Sequence, residues 1–278
     1  MSNPELSEEC MELLGDIQTK VESAPEFSVV MEKFDPEAAL ATIEKYKITD
    51  SQWVPTHFVR MLKLPKEVRE RYDTSSMQFA IHAAAPCPIE VKEKMIEWWG
   101  PIINEYYAGS EGIGMTLVKS EQWLQFPGTV GFPIYGKLHI CGPDGEEVPA
   151  GTDGLIYFEN DILPTYHNDP EKTKESMHPK GWMTLGDIGH VNEAGFLFLT
   201  DRKSHMIISG GVNIYPQEIE NLLVTHDKIM DAAVIGAPCP ELGEKVVAVV
   251  QPMTMDDAGD ELEAELRDFL APNLARIK

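Results

Sequence analysis

Phe196 to Leu223 reads FLFLTDRKSHMIISGGVNIYPQEIENLL. Phe196 to Leu199 is a short apolar run, and Met206 to Ile208 is a second; both are read as strands. Gly210-Gly211 then leads into Val212-Asn213-Ile214, and a Gly-Gly pair between apolar runs signals a hairpin because both residues can take φ > 0. Pro216 suits the first turn of a helix, where its missing N–H costs nothing. Glu218 and Glu220 place negative charge near that helix's positive end. Ile219, Leu222 and Leu223 recur at helical spacing, so one face packs. The polar turn Asp201-Arg202-Lys203-Ser204 separates the first two strands, and its guanidinium can make forked bonds to paired oxygens. By spacing alone this turn reads as a solvated loop on a surface hairpin.

Upstream, strand and helix alternate. PEAALATIEKY (from Pro36) is a helix, SQWVP a strand, THFVRMLK a helix ending before Pro65, and MQFAIHAA a strand. PIEVKEKMIEWW is a helix with Pro88 near its start and Gly100 after its end, and PIINEYY is a strand. This spacing predicts βα units and a parallel sheet, with ligands outside the carboxyl ends of the strands. Two loops hold that position, Ala83-Ala84-Ala85-Pro86 and Ala108-Gly109-Ser110-Glu111-Gly112. After Phe126 short β-like runs are cut by Gly, Pro and Asp, which predicts an antiparallel sheet or partial barrel with a hairpin at Asn192 to Gly195. Downstream of Leu223, DAAVIGAP and EKVVAVVQP are strands, and Leu262, Leu266, Phe269 and Leu270 mark a last amphipathic helix. Leu6, Met11, Leu14, Ile17 and Val21 fit one face of a further helix near the N-terminus.

The 278 residues suffice for two domains, and the net charge is −23. Such a charge argues against sequence-independent nucleic-acid binding, and an anionic ligand would need local features to hold it. No apolar run is long enough to span a bilayer, and the acidic start MSNPELSEECMELLGD is not a secretory signal. The cysteines Cys10, Cys87, Cys141 and Cys239 lie far apart, which points to free thiols in a reducing cytoplasm. Cys87 and Cys239 each stand in Pro-Cys-Pro and are read as small buried turn residues. The histidines show no metal-ligand pairing; His57, in Pro-Thr-His-Phe, suits either a helix start or a pocket wall.

Several loops could carry chemistry. At Tyr107-Ala108-Gly109-Ser110-Glu111, small residues admit a ligand to the backbone, the aromatic can stack on a purine, and the carboxylate can take Mg²⁺ beside phosphates and waters. At Trp182-Met183-Thr184-Leu185-Gly186-Asp187, the carboxylate suits a diol because both its oxygens accept. Each stretch taken alone also reads as an ordinary polar turn.

Taken together the strings are more specific. Asp201-Arg202-Lys203-Ser204, Ile-Ile-Ser-Gly-Gly-Val-Asn-Ile and Pro-Gln-Glu-Ile-Glu closely resemble the interdomain junction of adenylate-forming enzymes of the fatty acyl-CoA synthetase and acid–CoA ligase type. The resemblance implies that Arg202 binds the ribose of ATP or acyl-AMP and that Ser204 is the hinge of a rotating C-terminal domain. It also makes Tyr107 the adenine-stacking aromatic, Ser110 the phosphate-contacting hydroxyl and Glu111 the catalytic metal ligand. Ala84 and Ala85 match the loop along the adenine, Asp187 matches the ribose acceptor, and Gly211 opens a passage for the thiol of CoA. Departures are Ala84 for Gly, Ala108 for Gly, Ser110 for Thr and Leu185 for Thr.

The implied fold is α/β. Residues 1–27 form an N-terminal helical segment and 28–125 a partial α/β subdomain with a parallel sheet. Residues 126–201 form a β-rich subdomain, 202–204 the hinge, and 205–278 a truncated, small α+β C-terminal domain. The implied reaction joins a carboxylic acid to ATP through acyl-AMP and then to CoA, with Mg²⁺. Nothing in the chain matches the family's phosphate loop ending in Pro-Lys-Gly or its Pro-x-Gly-Lys motif, and Lys278 is not that Lys. The expectation is therefore a fragment with impaired adenylation that self-associates through an exposed sheet edge. Alternatives are another thiol acceptor, or a non-catalytic protein that binds nucleotide or pairs with another chain. Medium-chain and aromatic acids stand level as substrates.

Overall fold

The computed structural model describes residues 28–202 and 205–274. The proposed helix within residues 1–27, the hinge residue Ser204 and Lys278 lie outside them.

The chain enters through α1 (Pro36–Tyr46), whose start Asp35 caps by accepting from Ala38 N at 2.8 Å. Its face of Ala39, Leu40 and Ile43 is buried. There follow β1 (Asp50–Trp53), α2 (Pro55–Leu62), α3 (Lys66–Arg69), β2 (Phe79–His82), α4 (Ile89–Trp99) and β3 (Ile103–Ala108). The three strands pair in parallel, as the alternation predicts. Parallel pairing brings the carboxyl ends of β2 and β3 to the same side, so the loops after His82 and Ala108 are neighbours. Phe58, Met61, Met95, Ile103 and Trp123 fill the core between this sheet region and its helices. His57, near the start of α2, stacks on Phe34 with ring centroids 4.0 Å apart, and its Nδ1 accepts from Val54 N at 3.4 Å. Of its two readings, this packing is that of the helix start.

From β3 the direction reverses. β4 (Met115–Val118) runs antiparallel to β3 and is followed by α5 (Ser120–Trp123) and β5 (Thr129–Tyr135). Next come β6 (Lys137–Cys141), β7 (Gly154–Glu159), α6 (Pro170–Glu175), β8 (Met183–Val191) and β9 (Leu197–Arg202). All nine strands form one sheet in the order β1-β2-β3-β4-β5-β9-β8-β7-β6. The parallel and β-rich regions thus share one hydrogen-bonded ladder, joined where β4 pairs β5 and β5 pairs β9. The β8–β9 hairpin closes at Asn192, whose Oδ1 accepts from Ala194 N and Phe196 N, both at 3.0 Å. Its register sets Asp187 directly opposite Arg202.

The second sheet holds β10 (Ile207–Ser209), β11 (Val212–Ile214), β12 (Ile229–Cys239) and β13 (Gly243–Pro252), in the order β11-β10-β13-β12. Gly210 and Gly211 turn the β10–β11 hairpin with φ of 57° and 82°. Helix α7 (Pro216–Leu223) and helix α8 (Asp260–Leu270) pack through Ile219, Leu223, Leu262 and Leu266 on one side of the sheet. Cys239 departs from the buried-turn reading. It ends β12 half-exposed, and backbone N–H groups of Leu242 and Glu241 hold its thiol below the ordinary range.

Hydrogen bonds of Lys63 and of Asp201 tie the second unit to the first. Lys63 Nζ, at the end of α2, donates to His226 O at 3.0 Å and to Ile229 O. Asp201 Oδ2 accepts from Gln217 N in the first turn of α7 at 3.2 Å, serving a helix whose own cap residue, Tyr215, makes no side-chain cap bond.

Candidate functional site

Tyr107 lies at the end of β3, and a turn closed by Gly112 N donating to Gly109 O at 3.0 Å carries Ser110 and Glu111. Tyr107 Oη donates to Asp187 Oδ2 at 2.6 Å, a contact across 80 residues. Arg202 Nε donates to the other oxygen, Oδ1, at 3.1 Å. Asp187 is 6% exposed, whereas the Arg202 side chain is 63% exposed. The carboxylate is therefore held at both oxygens while each keeps accepting capacity, since an ionised carboxylate has about four lone-pair sites. Burial, and then the negative charge of Asp187, pushes the Tyr107 phenol well above its ordinary range, so it stays a donor. Among the described residues, none takes a hydrogen bond from the terminal nitrogens of Arg202.

The loop after β2 lines the same end of the sheet. Ala84 and Ala85 are exposed, and Ala84 has φ of 76°. A left-handed conformation costs a non-glycine residue about 1–2 kcal/mol, so this alanine keeps the backbone shape of a glycine at an energetic cost. Ser110 is exposed beside it in the β3 loop. Gly109 is crowded: a Cβ there would lie 2.7 Å from both Glu111 Oε2 and Leu185. Its lack of a side chain is what lets the Glu111 carboxylate and the Leu185 side chain close over the turn.

Two residues at this site escaped the sequence reading. Tyr166 Oη donates to Glu111 Oε1 at 3.0 Å across 55 residues. The sequence signal nearest to it is Asp169-Pro170, a helix-start pair just downstream, which says nothing of Glu111. Asp201 was read only as part of a polar turn, yet it bonds Arg202 N at 2.6 Å as well as Gln217 N. Gly211, by contrast, sits exposed in the second sheet, and no hydrogen bond joins it to Tyr107, Asp187 or Arg202 among the described residues.

Among the described residues there is no group of three His, Cys, Asp or Glu placed to hold a metal. The half-exposed Glu111 suits Mg²⁺ in another way, since that ion commonly takes one or two carboxylates and completes its shell with substrate phosphates and waters. No helix among the described residues is long and apolar enough to cross a membrane.

Residues 27–166 match the family model for the AMP-binding enzyme, and residues 218–278 match the model for the AMP-binding enzyme C-terminal domain. The chain belongs to the AMP-binding enzymes. Among curated members of the family, it is 33% identical over 256 residues to a long-chain-fatty-acid–CoA ligase of Bacillus subtilis, covering 88% of this chain and 44% of that protein. It is also 33% identical over 241 residues to a feruloyl-CoA synthase of Amycolatopsis sp, covering 86% and 48%. Among solved AMP-binding enzymes, ATP-bound MatB from Rhodopseudomonas palustris superposes with a TM-score of 0.73 at 29% identity, over 90% of this chain and 48% of that one. This AMP-binding enzyme chain thus spans about half the length of the curated relatives it matches.

Proposed function

We propose that this chain carries the nucleotide-holding part of an acid–CoA ligase, an enzyme that activates a carboxylic acid as acyl-AMP and passes the acyl group to CoA. The carrying observation is the clamp in which Asp187 is gripped by Tyr107 and Arg202 at the carboxyl end of the sheet. Asp187 accepts from the ribose hydroxyls, and the exposed guanidinium of Arg202 donates to ribose or phosphate oxygens. The ring of Tyr107, with Ala84 and Ala85, lines the adenine, and Ser110 bonds a phosphate oxygen. Glu111 holds Mg²⁺, which neutralises charge on the phosphates when bound. The break between the two sheets at Arg202 supports a hinge at 202–204 that pivots on Ser204 and a unit of residues 205–278, whereas 28–125 and 126–201 are subdomains that share one sheet. Rotation about that hinge would bring Gly211 and its hairpin to the site as the passage for the CoA thiol. Free Cys87, Cys141 and Cys239 support a cytoplasmic location.

Arg202→Ala tests the clamp. Calorimetry is expected to show AMP bound by the wild-type chain and weakened about 5- to 150-fold by the substitution, the 1–3 kcal/mol scale of a charged hydrogen bond. Equal affinity in the two proteins removes Arg202 from the site.

We also propose self-association through β1. It is the edge of the nine-stranded sheet and has β2 as its only strand neighbour among the described residues. An open parallel edge presents unpaired backbone groups to another chain. Light scattering is expected to return a mass above the monomer that rises with concentration. A monomeric mass throughout the micromolar range refutes the edge as a pairing surface.

A further inference from the structure

We infer that Tyr166 is a positioning residue for Glu111, its hydroxyl holding one carboxylate oxygen so that the other is presented to a divalent cation bound with ATP. The inference rests on the proposed role of Glu111 and adds to it a residue from a different loop. Its basis is the separation of the two oxygens of Glu111. Oε1 accepts from Tyr166 Oη at 3.0 Å. Oε2 lies on the other side, over Gly109 and 2.7 Å from where a Cβ would stand, with the Leu185 methyls as close to that point. A carboxylate so divided offers one oxygen, which suits an ion that demands near-ideal octahedral geometry and takes most of its ligands from phosphate and water.

The tyrosine is itself fixed. Its backbone N donates to Thr173 Oγ1 at 2.9 Å, and that hydroxyl donates to Asp169 O at 3.0 Å. Asp169 Oδ1 accepts from Lys172 N at 2.9 Å, closing the loop onto α6. The Lys172 ammonium then stands 4.0 Å over the Tyr166 ring. Such a cation over the half-buried ring restricts how the ring tilts. Burial first, and then the bond to Glu111, raises the Tyr166 phenol above its ordinary range. Side chains that orient a metal ligand typically matter by about 10–100-fold in metal affinity.

The test measures Mn²⁺ affinity in the presence of ATP, by the paramagnetic resonance signal of free Mn²⁺, on the whole chain. Tyr166→Phe keeps the ring and its contact with Lys172 and removes only the hydroxyl. It is expected to weaken Mn²⁺ about 10-fold. Glu111→Gln is expected to weaken it more, and the double variant no further than Glu111→Gln alone, because the hydroxyl acts through the carboxylate. A residue that only packs would leave the metal affinity unmoved. If Tyr166→Phe binds Mn²⁺ like wild type while Glu111→Gln does not, the inference fails and the role of Glu111 stands. If Glu111→Gln also binds like wild type, the metal assignment fails and takes the inference with it.

Discussion

Glu105→Ala is expected to cost about 3–5 kcal/mol of folding stability, the loss typical when one partner of a buried ion pair is removed. Lys92 of α4 is 0% exposed and its Nζ lies 2.6 Å from Glu105 Oε2 on β3. Without the carboxylate, the ammonium keeps, among the described residues, the face of Trp123, 5.0 Å away, as an electrostatic partner. His82, also 0% exposed, places Nε2 3.5 Å from the same oxygen, and neither of its ring nitrogens has a hydrogen-bond partner. Burial raises the Glu105 carboxyl, and Lys92 opposes that shift, so the pair is held by mutual attraction in a dry site. The cost converts to a fall of about 6–20 °C in melting midpoint for a protein of this size. Thermal unfolding followed by circular dichroism is the check, and a fall of under about 2 °C would show that the pair is not load-sharing in the core. Replacing both members with apolar residues, Lys92→Met and Glu105→Leu, is expected to recover most of the loss, because no charge is left unpaired.

The cluster bears on function through its position. His82 ends β2 just before Ala83-Ala84-Ala85, and Glu105 precedes Tyr107 by one turn of the pleat on β3. A change at Glu105 is therefore felt at both loops of the proposed nucleotide site.

Asp187→Ala should act on binding and on stability by separable routes. It removes the proposed acceptor for the ribose hydroxyls and frees Arg202 from its orienting bond, so AMP affinity is expected to fall by about 100-fold or more, near 3 kcal/mol. It also leaves the hydroxyl of Tyr107 without its acceptor in a largely buried place, a cost of about 1–3 kcal/mol in stability. Adding Tyr107→Phe is expected to restore most of that stability without restoring AMP binding. Calorimetry with AMP and denaturant unfolding measure the two effects. Unchanged AMP affinity in Asp187→Ala would end the ribose assignment, whatever happened to the fold.

The local elements were legible before any coordinates. The stretch PEAALATIEKY announced α1, Gly210-Gly211 announced a hairpin, and the apolar spacing of Ile219 and Leu223 announced the buried side of α7. The candidate site residues were named through the length of the matching strings, since each loop alone reads as a polar turn. Two readings needed the structure to sharpen them. The parallel and β-rich regions proved to be one continuous sheet. Tyr107, read as a stacking surface, also uses its hydroxyl to grip Asp187.

Side-chain period and turn chemistry act over a few residues, so the sequence by itself determined the alternation of strand and helix up to β3, the β-rich stretch after Phe126, and the family. Strand order and cross-sheet contacts depend on how those elements pack together, a balance summed over the whole core. Only the tertiary structure therefore decided that β5 pairs β9, that Asp187 stands between Tyr107 and Arg202, and that Tyr166 reaches Glu111. The same holds for Lys63, which meets the carbonyls of His226 and Ile229 because two separately folded sheets come together, a proximity that no local pattern encodes.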